Sequence, residues 1–120
     1  MISTEQVFVY GTLRRGEANH GLLREACWLD GHRTEPCYTL LNLGSYPAAI
    51  AGGTTALTGE LYRINRAQLR WLDRLEGHPD LYQRMPIDTP HGKAWIYLYR
   101  RKINGAPPIP SGDWRRRPIG

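Results

Sequence analysis

A chain of 120 residues, 41% of them hydrophobic, is one globular domain in length and too apolar for disorder. It contains no apolar run of about 18 residues, which excludes a membrane-spanning helix. The formal charge of +5 is concentrated near the end: residues 100–120 hold six of the 16 basic side chains and one of the 11 acidic ones, leaving ten of each in residues 1–99. A neutral body with a basic end argues against a nucleic-acid reader, which needs a basic face on the folded domain.

Val7-Phe8-Val9-Tyr10 is a continuous apolar run that stops at Gly11, as expected of a strand buried on both faces. The polar, glycine-rich stretch 11–19 reads as a loop, and His20 to Trp28 as a short helix through Leu22, Leu23 and Ala26. Residues 33–43 look extended. Gly44 to Thr55 reads as a long loop, with turns at Tyr46-Pro47 and Gly52-Gly53. Residues 57–64 alternate strictly: Leu57, Gly59, Leu61 and Arg63 face one way, and Thr58, Glu60, Tyr62 and Ile64 the other. Asn65 is placed to cap a helix from Arg66 to Glu76, with Gly77 just past its end and Pro79 barring continuation. Tyr82–Thr89 and Lys93–Arg101 predict a hairpin through Pro90-His91-Gly92. Its second strand is apolar on both faces and predicts cover on both sides.

Strands outnumber helices and include a hairpin. This predicts an α+β domain: a small mixed β-barrel with short helices outside. The expected division is a domain over residues 1–103 and an irregular basic tail over 104–120. Cys27 and Cys37 form no disulfide framework and read as reduced, structural thiols. With His20 and His32 they lack paired ligand spacing, so no metal is expected. Nothing at the N-terminus has the pattern of a secretion signal, and a cytoplasmic location is expected.

Glu76 stands out by geometry. On a helix over 66–76, Leu69, Leu72 and Leu75 make an apolar stripe, and Glu76 falls inside it, about 40° from its centre. A carboxylate there is costly unless it is paired or used. Desolvation and the helix C-terminal dipole both raise its pKa, which suits a general base near neutral pH. The bland alternative is a frayed helix end with Glu76 turned to solvent. Tyr10-Gly11-Thr12-Leu13, at the end of a buried strand, can present successive N–H groups as an anion nest or oxyanion hole. In Leu75-Glu76-Gly77-His78-Pro79-Asp80-Leu81-Tyr82-Gln83-Arg84, Tyr82 either aims its hydroxyl at the same cavity or is a core tyrosine. His20 and His78 read as loop residues. No Walker or G-x-S-x-G pattern is present.

Residues 7–20, Val-Phe-Val-Tyr-Gly-Thr-Leu-Arg-Arg-Gly-Glu-Ala-Asn-His, closely resemble the opening of the gamma-glutamylcyclotransferase-like family. Gly59-Glu60-Leu61-Tyr62, Leu72-Asp73-Arg74-Leu75-Glu76-Gly77 and Leu81-Tyr82-Gln83-Arg84 match further family blocks in order, over roughly residues 6–101. Ser111-Gly112-Asp113-Trp114 is similar to the ending of small bacterial members, and residues 44–56, from Gly44-Ser45-Tyr46-Pro47 onward, also resemble those members. The resemblance implies a mixed barrel with flanking helices and a cofactor-independent cyclotransferase. Glu76 would be its acid/base, and Tyr10, Gly11, Thr12 and Leu13 its substrate loop, with Tyr46 and Tyr82 as further substrate contacts. The implied substrate is a gamma-glutamyl amine or related gamma-glutamyl compound, released as 5-oxoproline and a free amine. A binding module that keeps the cavity without turnover, and a basic-tailed RNA binder, are the readings from other classes.

Overall fold

The structure, a computed structural model, describes residues 4–118; the ends of both expected segments, residues 1–3 and 119–120, lie outside the described residues. Seven strands and one α-helix follow in chain order: β1 (Thr4–Val9), β2 (Cys27–Arg33), β3 (Tyr38–Asn42), β4 (Pro47–Ala51), β5 (Thr58–Asn65), α1 (Arg66–Leu75), β6 (Tyr82–Thr89) and β7 (Gly92–Tyr99). Two short 3₁₀ turns, His20–Leu23 and Trp114–Arg116, complete the set.

The main sheet has the order β2-β5-β1-β7-β6, and β3 and β4 form a separate hairpin. β1 runs antiparallel to β5 and parallel to β7, so the sheet is mixed. The α+β expectation holds. The barrel does not close: β2 and β6 remain as two edges, and the β3–β4 hairpin lies apart from their ladders.

Alternation along the central strands builds two cores, one on each face of the sheet. Phe8, Leu57, Leu61 and Ile96 pack with Tyr38, Leu40 and Ala49 of the β3–β4 hairpin. Val7, Val9, Tyr62, Ile64 and Tyr97 pack with Leu69 and Leu72 of α1. β7 is thus covered on both sides, as its sequence predicts. Gly59 sits where β5 crosses β1, and any Cβ there would collide with the Val9 carbonyl and the Phe8 ring.

Helix α1 begins where expected. The Asn65 side chain accepts the Gln68 N–H at 2.8 Å, and the Gln68 side chain accepts the Asn65 N–H at 2.8 Å, a reciprocal capping box. Gly77, at φ +63°, ends it. The apolar stripe is shorter than predicted, since Leu69 and Leu72 are buried while Leu75 is 44% exposed.

Three local expectations are corrected. Residues 20–28 form only one 3₁₀ turn, because Cys27 and Trp28 pair with Arg63 and Tyr62 at the sheet edge. The stretch 44–55 contains a strand, β4, stabilised by its pairing with β3 from Tyr38↔Ala51 to Asn42↔Pro47. Cys27 and Cys37 are both exposed rather than structural.

The segment after residue 103 has little regular structure, yet a division there leaves core side chains outside. Ile109 is 1% and Trp114 2% exposed, both within the Phe8 core. The segment runs beside β3, where the Asn42 and Ile109 N–H groups donate to Pro107 and Leu40 carbonyls at 2.8 Å each. Its charges also find partners. Arg117 stacks on Trp114 at 3.9 Å, and Arg115 pairs with Glu17 at 3.4 Å. Among the described residues no helix is long and apolar enough to cross a membrane.

Candidate active site

A cavity of about 460 Å³ opens at one end of the sheet, where β1 runs out and α1 ends. Tyr10, Gly11, Thr12, Leu13, Tyr46, Glu76 and Tyr82 all line it, so the sequence-predicted residues converge on one place. The loop after β1 forms one wall. It is fitted closely: a Cβ on Gly11 would lie 2.6 Å from the Pro47 ring, so only glycine lets the loop pass. Among the described residues, the N–H groups of Gly11, Thr12 and Leu13 have no acceptor, although the flanking Arg14 and Asn19 N–H groups donate back to Gly11 and Thr12 carbonyls at 3.1 and 2.8 Å. Three consecutive free donors in a fixed turn are the kind of backbone that can receive an anion.

Glu76 caps the end of α1 and is half-buried at the cavity wall. Its backbone is helical, with the N–H bonded to Leu72, so the residue does not fray outward. Among the described residues its carboxylate has no hydrogen bond and no ion pair. Burial without a partner pushes its pKa from 4.5 to about 7.

The tyrosines are structural in their hydroxyls. Tyr10 donates to the Tyr97 carbonyl at 2.6 Å and accepts the Ala49 N–H at 3.3 Å. Tyr82 lines the cavity but donates its hydroxyl to the Pro47 carbonyl at 2.8 Å, so it braces the Ser45–Pro47 wall. Burial, and then the charge of Glu76, raises Tyr10; burial, Tyr10 and Glu76 raise Tyr82. Both hydroxyls stay protonated. Tyr46 is exposed at the rim. No group of three or more His, Cys, Asp or Glu side chains among the described residues is placed to hold a metal ion.

The profile of the family described as gamma-glutamyl cyclotransferase, AIG2-like, matches residues 7–116. The chain belongs to this family. The gamma-glutamylcyclotransferase family protein YtfP of Escherichia coli K12 is 42% identical over 112 residues, spanning 93% of this chain and 97% of its own. The human gamma-glutamylaminecyclotransferase is 38% identical over 116 residues, spanning 88% of this chain and 71% of its own. The solution structure of E. coli ytfP superposes with a TM-score of 0.76 at 40% identity, covering 91% of this chain and 95% of that one.

Within this gamma-glutamylcyclotransferase fold, sequence reasoning missed several supports of the site. Asn19 lines the cavity and bonds Thr12 twice, through its N–H and through its amide to the hydroxyl at 2.9 Å. His20, read as a loop residue, donates its ring Nδ1–H to the Leu13 carbonyl at 2.9 Å. His78 accepts the Arg84 N–H at 3.1 Å and so ties the turn after Glu76 to β6. Asp73 accepts the Tyr97 hydroxyl at 2.7 Å and pairs with Arg84 at 2.5 Å, which fixes the helix end beneath Glu76. A polar side chain one turn from a candidate acid was a signal; the other contacts join residues whose proximity no local pattern shows.

Proposed function

We propose that this chain is a cyclotransferase that releases 5-oxoproline and a free amine from a gamma-glutamyl amine or a related gamma-glutamyl compound. The observation that carries the reading is an acid of pKa about 7 sharing a cavity with three consecutive N–H groups, all of them without a partner among the described residues. Family membership supports the same class of chemistry. So does the name of the human relative, for the gamma-glutamyl amine substrate.

The mechanism follows from these groups. The Glu76 carboxylate takes a proton from the substrate's alpha-ammonium. The freed amine attacks the gamma-carbonyl carbon, forming the new C–N bond of a five-membered ring. Negative charge moves to the carbonyl oxygen, where the Gly11, Thr12 and Leu13 N–H groups stabilise it. Collapse breaks the original C–N bond as the departing amine takes the proton back from Glu76. The ring nitrogen gives its second proton to the freed carboxylate, which passes it to the released amine, so that the products are neutral lactam and ammonium and Glu76 is restored. Nucleophile and electrophile belong to one molecule, so the attack needs no second reactant to be fixed. A base near pKa 7 is ionised enough to accept the proton and acidic enough to return it. Every step uses only the protein's side chain and backbone.

Tyr10 shapes the cavity floor, and Tyr46 offers a ring at the rim against the leaving amine. The test is incubation of the purified protein with a panel of gamma-glutamyl amines and dipeptides, scored for 5-oxoproline. Release from at least one member is expected. Saturable binding without release from any would favour the non-catalytic binding module instead.

A further inference from the structure

The loop that carries the three free N–H groups is held by a cluster of charges, and no member of the cluster lines the cavity. Arg14, directly after Leu13, has a side chain only 7% exposed, and its Nη1 donates to the Asp113 carboxylate at 2.7 Å. Its Nε lies 3.5 Å from Glu60 Oε2, a charge contact rather than a hydrogen bond. Glu60, equally buried and opposite Val9 in the β1–β5 ladder, accepts the Arg15 N–H at 2.8 Å and the Tyr62 hydroxyl at 3.0 Å. Arg115 completes the group. Its guanidinium is 3.7 Å from Glu60 and donates to the Arg15 carbonyl. Its N–H donates to Asp113 Oδ1 at 3.0 Å.

Taking several charges out of water is expensive, and such a cluster is a poor route to stability compared with apolar packing. What it supplies is position. The loop 11–19 has no regular strand or helix of its own. Clamping it at Arg14 and Arg15 fixes the chain just beyond Gly11, Thr12 and Leu13. Donors to a developing oxyanion stabilise it only if they already point at it.

We propose that Arg14, Glu60 and Asp113 are positioning residues for turnover, holding the Gly11–Leu13 donors from outside the cavity, so that the segment around Asp113 is a working part of the site. The proposal rests on the cyclotransferase reading of the cavity. Asp113 reaches Arg14 across 99 positions of sequence, which makes the C-terminal segment the clamp on the N-terminal loop.

The test compares full-length Asp113→Asn and Arg14→Lys with the parent. Asparagine keeps an acceptor for the Arg115 N–H and removes the charge facing Arg14; lysine keeps the charge and removes the fork. With a gamma-glutamyl compound that the parent cleaves, kcat is expected to fall by about 10- to 100-fold. KM should stay within about threefold, because the lost interaction is made good only in the transition state. The double variant should fall little further than the worse single, since both break one unit. Amide hydrogen exchange should quicken in residues 10–19 by clearly more than in β5 and β7, which report only the loss of global stability. Unchanged kcat, or exchange that quickens evenly through the whole chain with kcat per folded molecule retained, would overturn the proposal in favour of a purely structural cluster. If the parent cleaves no member of the panel, the functional reading has failed instead. The clamp then stands or falls on the exchange of residues 10–19 alone.

Discussion

Glu60 and Glu76 are both drawn out of bulk solvent, and the protein treats the two carboxylates in opposite ways. Glu60 is met by the Arg14 and Arg115 guanidiniums, the Arg15 N–H and the Tyr62 hydroxyl. Glu76 shares a mostly apolar and aromatic cavity with Leu75, Leu81, Tyr82 and Tyr97, has no partner among the described residues, and its pKa rises to about 7. The first arrangement suits an acid that holds other groups in place. The second suits one that must gain and lose a proton. Burial is common to both; partnering separates a structural carboxylate from a reactive one.

The largest expected effect falls on turnover. Glu76→Gln keeps the shape of the side chain and removes its proton chemistry, so 5-oxoproline release should fall by about 10⁴-fold or more. Calorimetric binding of the same compound should stay close to that of the parent. Turnover within tenfold of the parent would remove Glu76 from the reactive role and end the contrast with Glu60.

Next comes the reverse operation on the paired acid. Glu60→Ala leaves Arg14 with Asp113 alone and takes the acceptor from the Arg15 N–H and the Tyr62 hydroxyl, and should cost about 3–5 kcal/mol in urea unfolding. A cost below about 1 kcal/mol would show that water reaches the cluster and satisfies it, and would erase the distinction drawn here.

Smaller, and opposite in sign, is the effect of Glu76→Gln on stability. The folded-state pKa of Glu76 lies above its ordinary value, so between about pH 4.5 and 7 the folded form binds more proton than the unfolded one. Parent stability therefore drops as pH rises through that window. Glutamine does not titrate, and its advantage should grow from nothing near pH 4 to at most about 3 kcal/mol at pH 8. Thermal melts of both proteins from pH 4 to 9 would show it. Parallel curves would mean that Glu76 is better solvated than its surroundings suggest.

The smallest effect belongs to Asp113. Burial tends to raise its pKa, but hydrogen bonds from Arg14 and the Arg115 N–H outweigh that and hold it below the usual aspartate range. Its contribution is present above the unfolded pKa of about 4 and is lost as pH falls through the lower folded value. Asp113→Asn should cost about 1 kcal/mol at pH 7 and flatten the acid limb below pH 4. An unchanged acid limb would locate that limb in other carboxylates.

Much of the architecture was legible from local pattern. Strict alternation placed β5, the Asn65–Gln68 spacing and Gly77 bounded α1, and the apolar run before Gly11 marked β1. The errors share one cause. Leu22, Leu23 and Ala26 have helical spacing, but Cys27 onward gains ladder hydrogen bonds with β5 that outweigh propensity. Pro47 and the nearby glycines read as loop, yet β3 offers an adjacent edge and β4 forms on it. The basic segment near the C-terminus looked solvated because charge dominates its composition; Ile109 and Trp114 pack through it regardless.

For the site, the sequence by itself determined the ingredients: an acid at a helix end, a glycine that lets a strand stop short, and the motif spacing that marks the family. Those are local properties, set by periodicity, capping and the steric freedom of one residue. Only the tertiary structure decided that Glu76 stays without a partner among the described residues, that Tyr82 spends its hydroxyl on Pro47, and that Arg14 meets Asp113. A carboxylate's pKa and a donor's freedom depend on atoms a few ångströms away. In this fold those atoms come from β1, β4, β6 and the C-terminal segment, parts of the chain that only folding brings together.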